Sequence, residues 1–153
     1  VDYTIELKCS PEEEHVFHPK VSKFVRRVVK TIKKYGLEER TLLQAFDQRV
    51  LKRLNERHPA VHCSYLKDET PDLEKELKEL GFIPSVLGLR YDLVTKEIVQ
   101  ECEQRGMKVI PWTVNEVSDM KTVLEKGVHG IITDFPDRLP TLLEDMKKTD
   151  AVV

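Results

Sequence analysis

Six short apolar runs, each ending in polar residues and leading into a stretch of helical spacing, alternate along the chain. The strands they predict cover residues 3–8, 41–46, 61–66, 84–89, 107–112 and 130–133. Between them, apolar residues recur three and four positions apart, the spacing of one helix face. The first such stretch, predicted as a helix from Pro19, carries Val21, Phe24, Val25, Val28, Val29 and Ile32. A proline is tolerated in a first helical turn, and Gly36 supplies the expected stop. Helices are predicted again over 48–57, 71–80, 95–105, 116–126 and 137–148, leaving 149–153 as a tail. The run at 84–89 is the weakest strand, because Pro84 and Gly88 both count against one.

Strands alternating with helices about every 25 residues imply parallel pairing through right-handed crossovers, hence an α/β fold. Two architectures fit: a doubly wound sheet, or a segment of a (β/α)8 barrel. Six units are too few to close a barrel, which typically takes about 250 residues. No linker or shift of composition divides residues 1–148, which are read as one domain. In either architecture the chemistry belongs at the carboxyl ends of the strands.

Composition narrows the functional classes. A net charge of −2 does not suit a non-specific nucleic-acid binder, and the basic residues between Lys30 and Lys34 follow helical spacing as a solvated face. No apolar run approaches the roughly 20 residues of a membrane span. Cys9, Cys63 and Cys102 are odd in number and far apart, which argues for free thiols over a disulfide framework or zinc knuckle. The chain opens on Val1 and enters a strand almost at once, an abruptness expected where upstream sequence is missing.

Side chains alternate along a strand, so Tyr3, Ile5 and Leu7 share one face of the first, and Thr4, Glu6 and Lys8 the other. A carboxylate and an ammonium stacked on one face read either as a structural pair or as a metal-binding group beside a phosphate-binding one. Trp112, the only tryptophan, ends a strand before Thr113 and Asn115. It either packs under a helix or forms a wall of a site, with Asn115 capping the next helix. Asp134 is read first as a turn former and second as a catalytic carboxylate. Phe46 is a candidate pocket residue and Asp47 a helix cap. His62 is an inward-facing candidate, but the histidines show no metal or triad spacing, and no glycine-rich phosphate loop is present.

Four segments then stand in a telling order: Ile5-Glu6-Leu7-Lys8, Ala45-Phe46-Asp47, Lys108-Val109-Ile110-Pro111-Trp112-Thr113-Val114-Asn115, and Gly127-Val128-His129-Gly130-Ile131-Ile132-Thr133-Asp134-Phe135-Pro136. In this order and spacing, from residue 1 to about 140, the chain resembles the glycerophosphodiester phosphodiesterase family. The resemblance implies a (β/α)8 barrel that hydrolyses glycerophosphodiesters to glycerol 3-phosphate and an alcohol, using a divalent cation (magnesium or calcium) and two histidines. It implies Glu6 as a metal ligand, Lys8 beside the substrate phosphate, and Phe46 and Trp112 lining the substrate pocket. Ala45 stands where the family usually has serine.

The family's His-Arg-Gly motif, its other acidic ligands and its His-Asp motif do not occur in the sequence. The chain therefore looks like strands three to eight of the barrel, with no catalytic histidine of its own and with activity belonging to the complete barrel. The alternative is a non-catalytic truncated barrel that binds or self-assembles, since open strand edges are relieved by pairing with another copy. A weaker third reading is an unrelated doubly wound sheet holding a small phosphorylated ligand. The resemblance leaves bacterial cytoplasm and periplasm equally open.

Overall fold

A computed structural model describes residues 2–150, with side chains through Lys147. Five parallel strands form one sheet: β1 (Tyr3–Glu6), β2 (Thr41–Ala45), β3 (Cys63–Lys67), β4 (Val86–Leu89) and β5 (Lys108–Val109). Their order across the sheet is their order in the chain, and each pairs in parallel with the next. A doubly wound sheet reverses its strand order at a switch point. This sheet does not, so it is wound one way, as part of a (β/α)8 barrel is.

The helices are α1 (Val21–Lys34), α2 (Gln48–Arg57), α3 (Leu73–Leu80), α4 (Lys96–Gln104), α5 (Val117–Leu124) and α6 (Arg138–Asp150). The starts of α2, α3 and α4 follow from side-chain caps. Asp47 accepts from the Arg49 amide, Asp72 from that of Lys75, and Thr95 from that of Ile98. Val21, Val25, Val29 and Ile32 are the buried stripe of α1. They pack with Leu43 and Ala45 of β2, Cys63 and Tyr65 of β3, and Val50, Leu51 and Leu54 of α2. Leu87, Leu89 and Val109 meet Leu73, Val99 and Cys102 in a second cluster. One face of each strand is thus spent on helices, and a one-residue slip would bring the polar face inward.

The structure departs from the sequence pattern at strand ends. The weak strand at 84–89 forms, as β4, after Pro84 has passed. β5 is only two residues long, although Ile110 and Trp112 still donate to the Leu87 and Leu89 carbonyls at 3.0 and 3.1 Å. Pro111 has no N–H, so the other edge of β5, toward residues 130–133, lacks one donor. The sixth predicted strand is not one of the five. Residues 130–133 run beside the continuation of β5, where Ile132 donates to the Pro111 carbonyl and Val114 to that of Ile132, both at 2.8 Å. Helix α6 extends to Asp150, so two of the five residues read as a tail continue the helix; 151–153 lie outside the described residues.

Candidate functional site

The face of the sheet turned away from the helices carries Thr4, Leu42, Gln44, Ser64, Val86 and Ile110, which line a cavity of about 210 Å³ with residues 130–132. Two positions further along β1, β2 and β5 stand Glu6, Phe46 and Trp112, on the same face by alternation. A contact bears this out for Phe46 and Trp112. The Phe46 and Trp112 rings meet edge to face, with centroids 5.5 Å apart and planes at 85°. The Lys8 ammonium lies 4.0 Å from a Glu6 carboxylate oxygen. All four residues singled out in the sequence therefore lie at the carboxyl ends of strands or just beyond.

Trp112 is fixed at three points. Its indole N–H donates to the Gly88 carbonyl at 2.8 Å, its amide to Leu89 and its carbonyl accepts from Tyr91. In the sequence pattern Gly88 only weakens a strand, yet it makes room for this arrangement. A Cβ there would stand 2.6 Å from Leu66 Cδ2, 3.1 Å from Ser64 Oγ and 3.6 Å from Trp112 Cδ1. A glycine inside a strand pattern is the signal of such close approach.

Lys8 is 83% exposed and Glu6 27% exposed. An ion pair so solvated stabilises a fold by at most about 1 kcal/mol, so a structural tie alone gives little reason for these two groups here. The loop between β1 and α1 is anchored beside them. Arg49 donates to both Asp47 oxygens, at 3.1 Å to Oδ1 and 2.7 Å to Oδ2, and to Glu14 at 3.2 Å. Burial, then the Asp47 charge, pushes the Cys9 thiol in this loop up to about 11. Burial does the same at Cys63 and Cys102, so none is an activated nucleophile, and all three are free thiols.

The histidines do not join this site. His62 lies before β3, at the amino end of the sheet, with Nδ1 3.1 Å from Ser85 Oγ; it is not the inward-facing strand residue that the pattern suggested. His18 is buried against the Pro19 and Ser10 carbonyls, and its pKa is raised, chiefly by the Pro19 hydrogen bond. His129 accepts from the Val109 amide. Among the described residues no group of three or more His, Cys, Asp or Glu could hold a metal ion.

Two polar residues are used differently from expectation. Asn115 does not cap α5, whose N-cap is Glu116 without a side-chain bond. Its amide instead donates to Asp134 at 2.9 Å, and its oxygen accepts from the Asp134 amide and the Thr133 hydroxyl. The turn itself is held by Thr133, whose hydroxyl accepts from the Phe135 amide, and not by the Asp134 carboxylate.

A one-way parallel sheet with polar and aromatic residues at its carboxyl ends is the arrangement of part of a (β/α)8 barrel. The chain belongs to the Glycerophosphoryl diester phosphodiesterase family, whose sequence profile matches residues 1–138. It is 31% identical over 117 residues to a glycerophosphodiester phosphodiesterase of Caldanaerobacter subterraneus subsp. tengcongensis, covering 76% of this chain and 48% of that protein. It is also 31% identical over 125 residues to a glycerophosphodiester phosphodiesterase of Bacillus altitudinis, covering 79% and 50%. Among solved structures it resembles a Silicibacter pomeroyi protein provisionally named a glycerophosphoryl diester phosphodiesterase. That match has a TM-score of 0.82 at 30% identity, over 94% of this chain and 50% of the other. The chain thus spans about half the length of the curated relatives it matches. Chemistry in this family is metal-dependent.

Proposed function

We propose that the chain is part of a metal-dependent phosphoric diester hydrolase that cleaves glycerophosphodiesters to glycerol 3-phosphate and an alcohol, with activity belonging to the complete barrel. The observation that carries this reading is the contact of Phe46 with Trp112 on the face that bears Glu6 and Lys8. An aromatic wall beside an exposed ammonium suits a substrate with a small apolar edge and a charged phosphate. In this reading Phe46 and Trp112 line the substrate pocket and exclude water from one side of it. Lys8, largely free in solvent, swings to neutralise a phosphate oxygen. Glu6 offers one carboxylate to magnesium or calcium. Such hard cations take six or more oxygens, so the described residues do not hold one by themselves. Diester hydrolysis also needs an activated nucleophile and a protonated leaving group. The site formed by these residues supplies neither, which is why the activity is assigned to the whole barrel.

The test is hydrolysis of glycerophosphocholine with magnesium or calcium, by the 153 residues alone and within a complete barrel. Activity confined to the complete barrel and lost with Glu6→Ala is the expected result. Full activity of the isolated chain would contradict the assignment. A second reading, self-assembly without catalysis, draws on β1, whose outer edge has no strand partner among the described residues. Sedimentation that stays monomeric across concentrations removes it.

A further inference from the structure

We propose that Asn115 and Asp134 form a positioning clamp for Trp112, and that the Asp134 carboxylate acts as a hydrogen-bond acceptor and not as a catalytic or metal-binding charge. This rests on the reading of Trp112 as a wall of the substrate pocket. Trp112 lies between two backbone bonds to the segment at 130–133: Ile132 donates to Pro111 before it, and Val114 donates to Ile132 after it. That segment pairs with the β5 continuation on one side, and no strand flanks its other side among the described residues. Its far end would therefore open with little resistance if backbone bonds alone held it.

Asn115 closes that end. Each polar atom of its side chain is used: Nδ2 donates to Asp134 Oδ2 at 2.9 Å, while Oδ1 accepts from Thr133 at 3.2 Å and the Asp134 amide at 3.0 Å. Its backbone carbonyl accepts from Arg138 at 2.6 Å, and that guanidinium stacks 4.0 Å above the Phe135 ring. The clamp thus joins the chain three residues beyond Trp112 to the turn that ends the neighbouring segment. Loosening it frees one flank of the indole, whose other flank stays tied to Gly88 and Leu89. A neutral amide at position 134 keeps an oxygen facing Asn115 Nδ2, so the clamp needs the acceptor and not the charge.

The test compares Asn115→Ala, Asp134→Ala, Asp134→Asn and Thr133→Val in the full chain and in the complete barrel. Trp112 is the only tryptophan of the chain, so in the full chain its emission and its quenching by acrylamide read the clamp directly. Asn115→Ala and Asp134→Ala raise the quenching constant roughly twofold, Thr133→Val raises it less, and Asp134→Asn leaves it unchanged. In the complete barrel the two alanine variants raise KM for glycerophosphocholine about five- to tenfold with kcat within about twofold, while Asp134→Asn stays near the unsubstituted enzyme. Asp134→Asn as damaging as Asp134→Ala overturns the proposal, because the charge is then what matters. Unchanged quenching in both alanine variants overturns it as well. Should Asn115→Ala not fold, the ranking of the two Asp134 variants and Thr133→Val carries the same decision. Absence of hydrolysis in the unsubstituted barrel removes the phosphodiesterase reading and leaves the quenching ranking to decide the clamp.

Discussion

Phe46 and Trp112 touch at 5.5 Å although β3 and β4 lie between their strands. A flat sheet would hold side chains three strand spacings apart at about 14 Å. The sheet must therefore curl so that both rings lean into one interior, which is what converts a row of strand ends into a site. Phe46→Ala removes the edge-to-face contact and part of the wall. We expect a loss of about 1–2 kcal/mol in urea unfolding, with a red shift of Trp112 emission as water reaches the indole. An unchanged emission maximum would mean that the rings do not meet in solution.

Gly88 provides a stricter check of the same wall. Its backbone does not need a left-handed conformation, so the effect of a side chain there is purely one of space. Gly88→Ala would press its methyl against Leu66 and Ser64, both buried, and against the edge of Trp112. Overpacking of this kind costs about 1–3 kcal/mol. Thermal unfolding should show a lower Tm together with an altered Trp112 spectrum. A Tm equal to that of the unsubstituted chain would show that Leu66 has room to yield.

Glu6 and Lys8 separate structure from function cleanly. Their pair is too exposed to matter for folding, so Glu6→Ala and Lys8→Ala should each change unfolding free energy by less than about 1 kcal/mol. In a complete barrel the same substitutions should lower kcat/KM by roughly a hundredfold or more, since in the proposed function one removes a metal ligand and the other a phosphate partner. Stability loss without loss of hydrolysis would restore the purely structural reading of the pair.

How far the sequence discloses this architecture depends on which physical signal each residue leaves. Leu43 and Ala45, or Val25 and Val29, are placed correctly because burial against a helix imposes a period, and a period is visible in one dimension. Glu6 and Phe46 are placed by the same alternation, read for the opposite face. Asn115 is not, because an amide before a helix looks like a cap whether or not it serves as one, and its partners stand 18 and 19 residues away. Gly88 marks a close approach without naming what approaches. The segment at 130–133 has the composition of a strand, but Pro111 on its neighbour withholds a donor, and that defect appears only when the two are laid side by side.

Buried ionisable groups give a final expectation, on pH. Tyr65, packed in the core and hydrogen-bonded by Gln48, has its phenol pushed up to about 12, chiefly by burial. Cys63 and Cys102 are raised by burial to about 11. These groups are neutral when protonated, and the folded chain holds their protons more tightly than the unfolded chain does. Their contribution is complete below the ordinary thiol and phenol values, near 9 and 10, and disappears as pH rises through the folded values. Tm should therefore hold steady near pH 8 and fall progressively between about pH 9 and 12. The part of the phenolate absorbance that Tyr65→Phe removes should appear in step with unfolding and not before it. Tyr65→Phe removes the phenol, so the fall above about pH 10 becomes shallower, whereas equal slopes in both chains would mean that Tyr65 ionises without leaving the core.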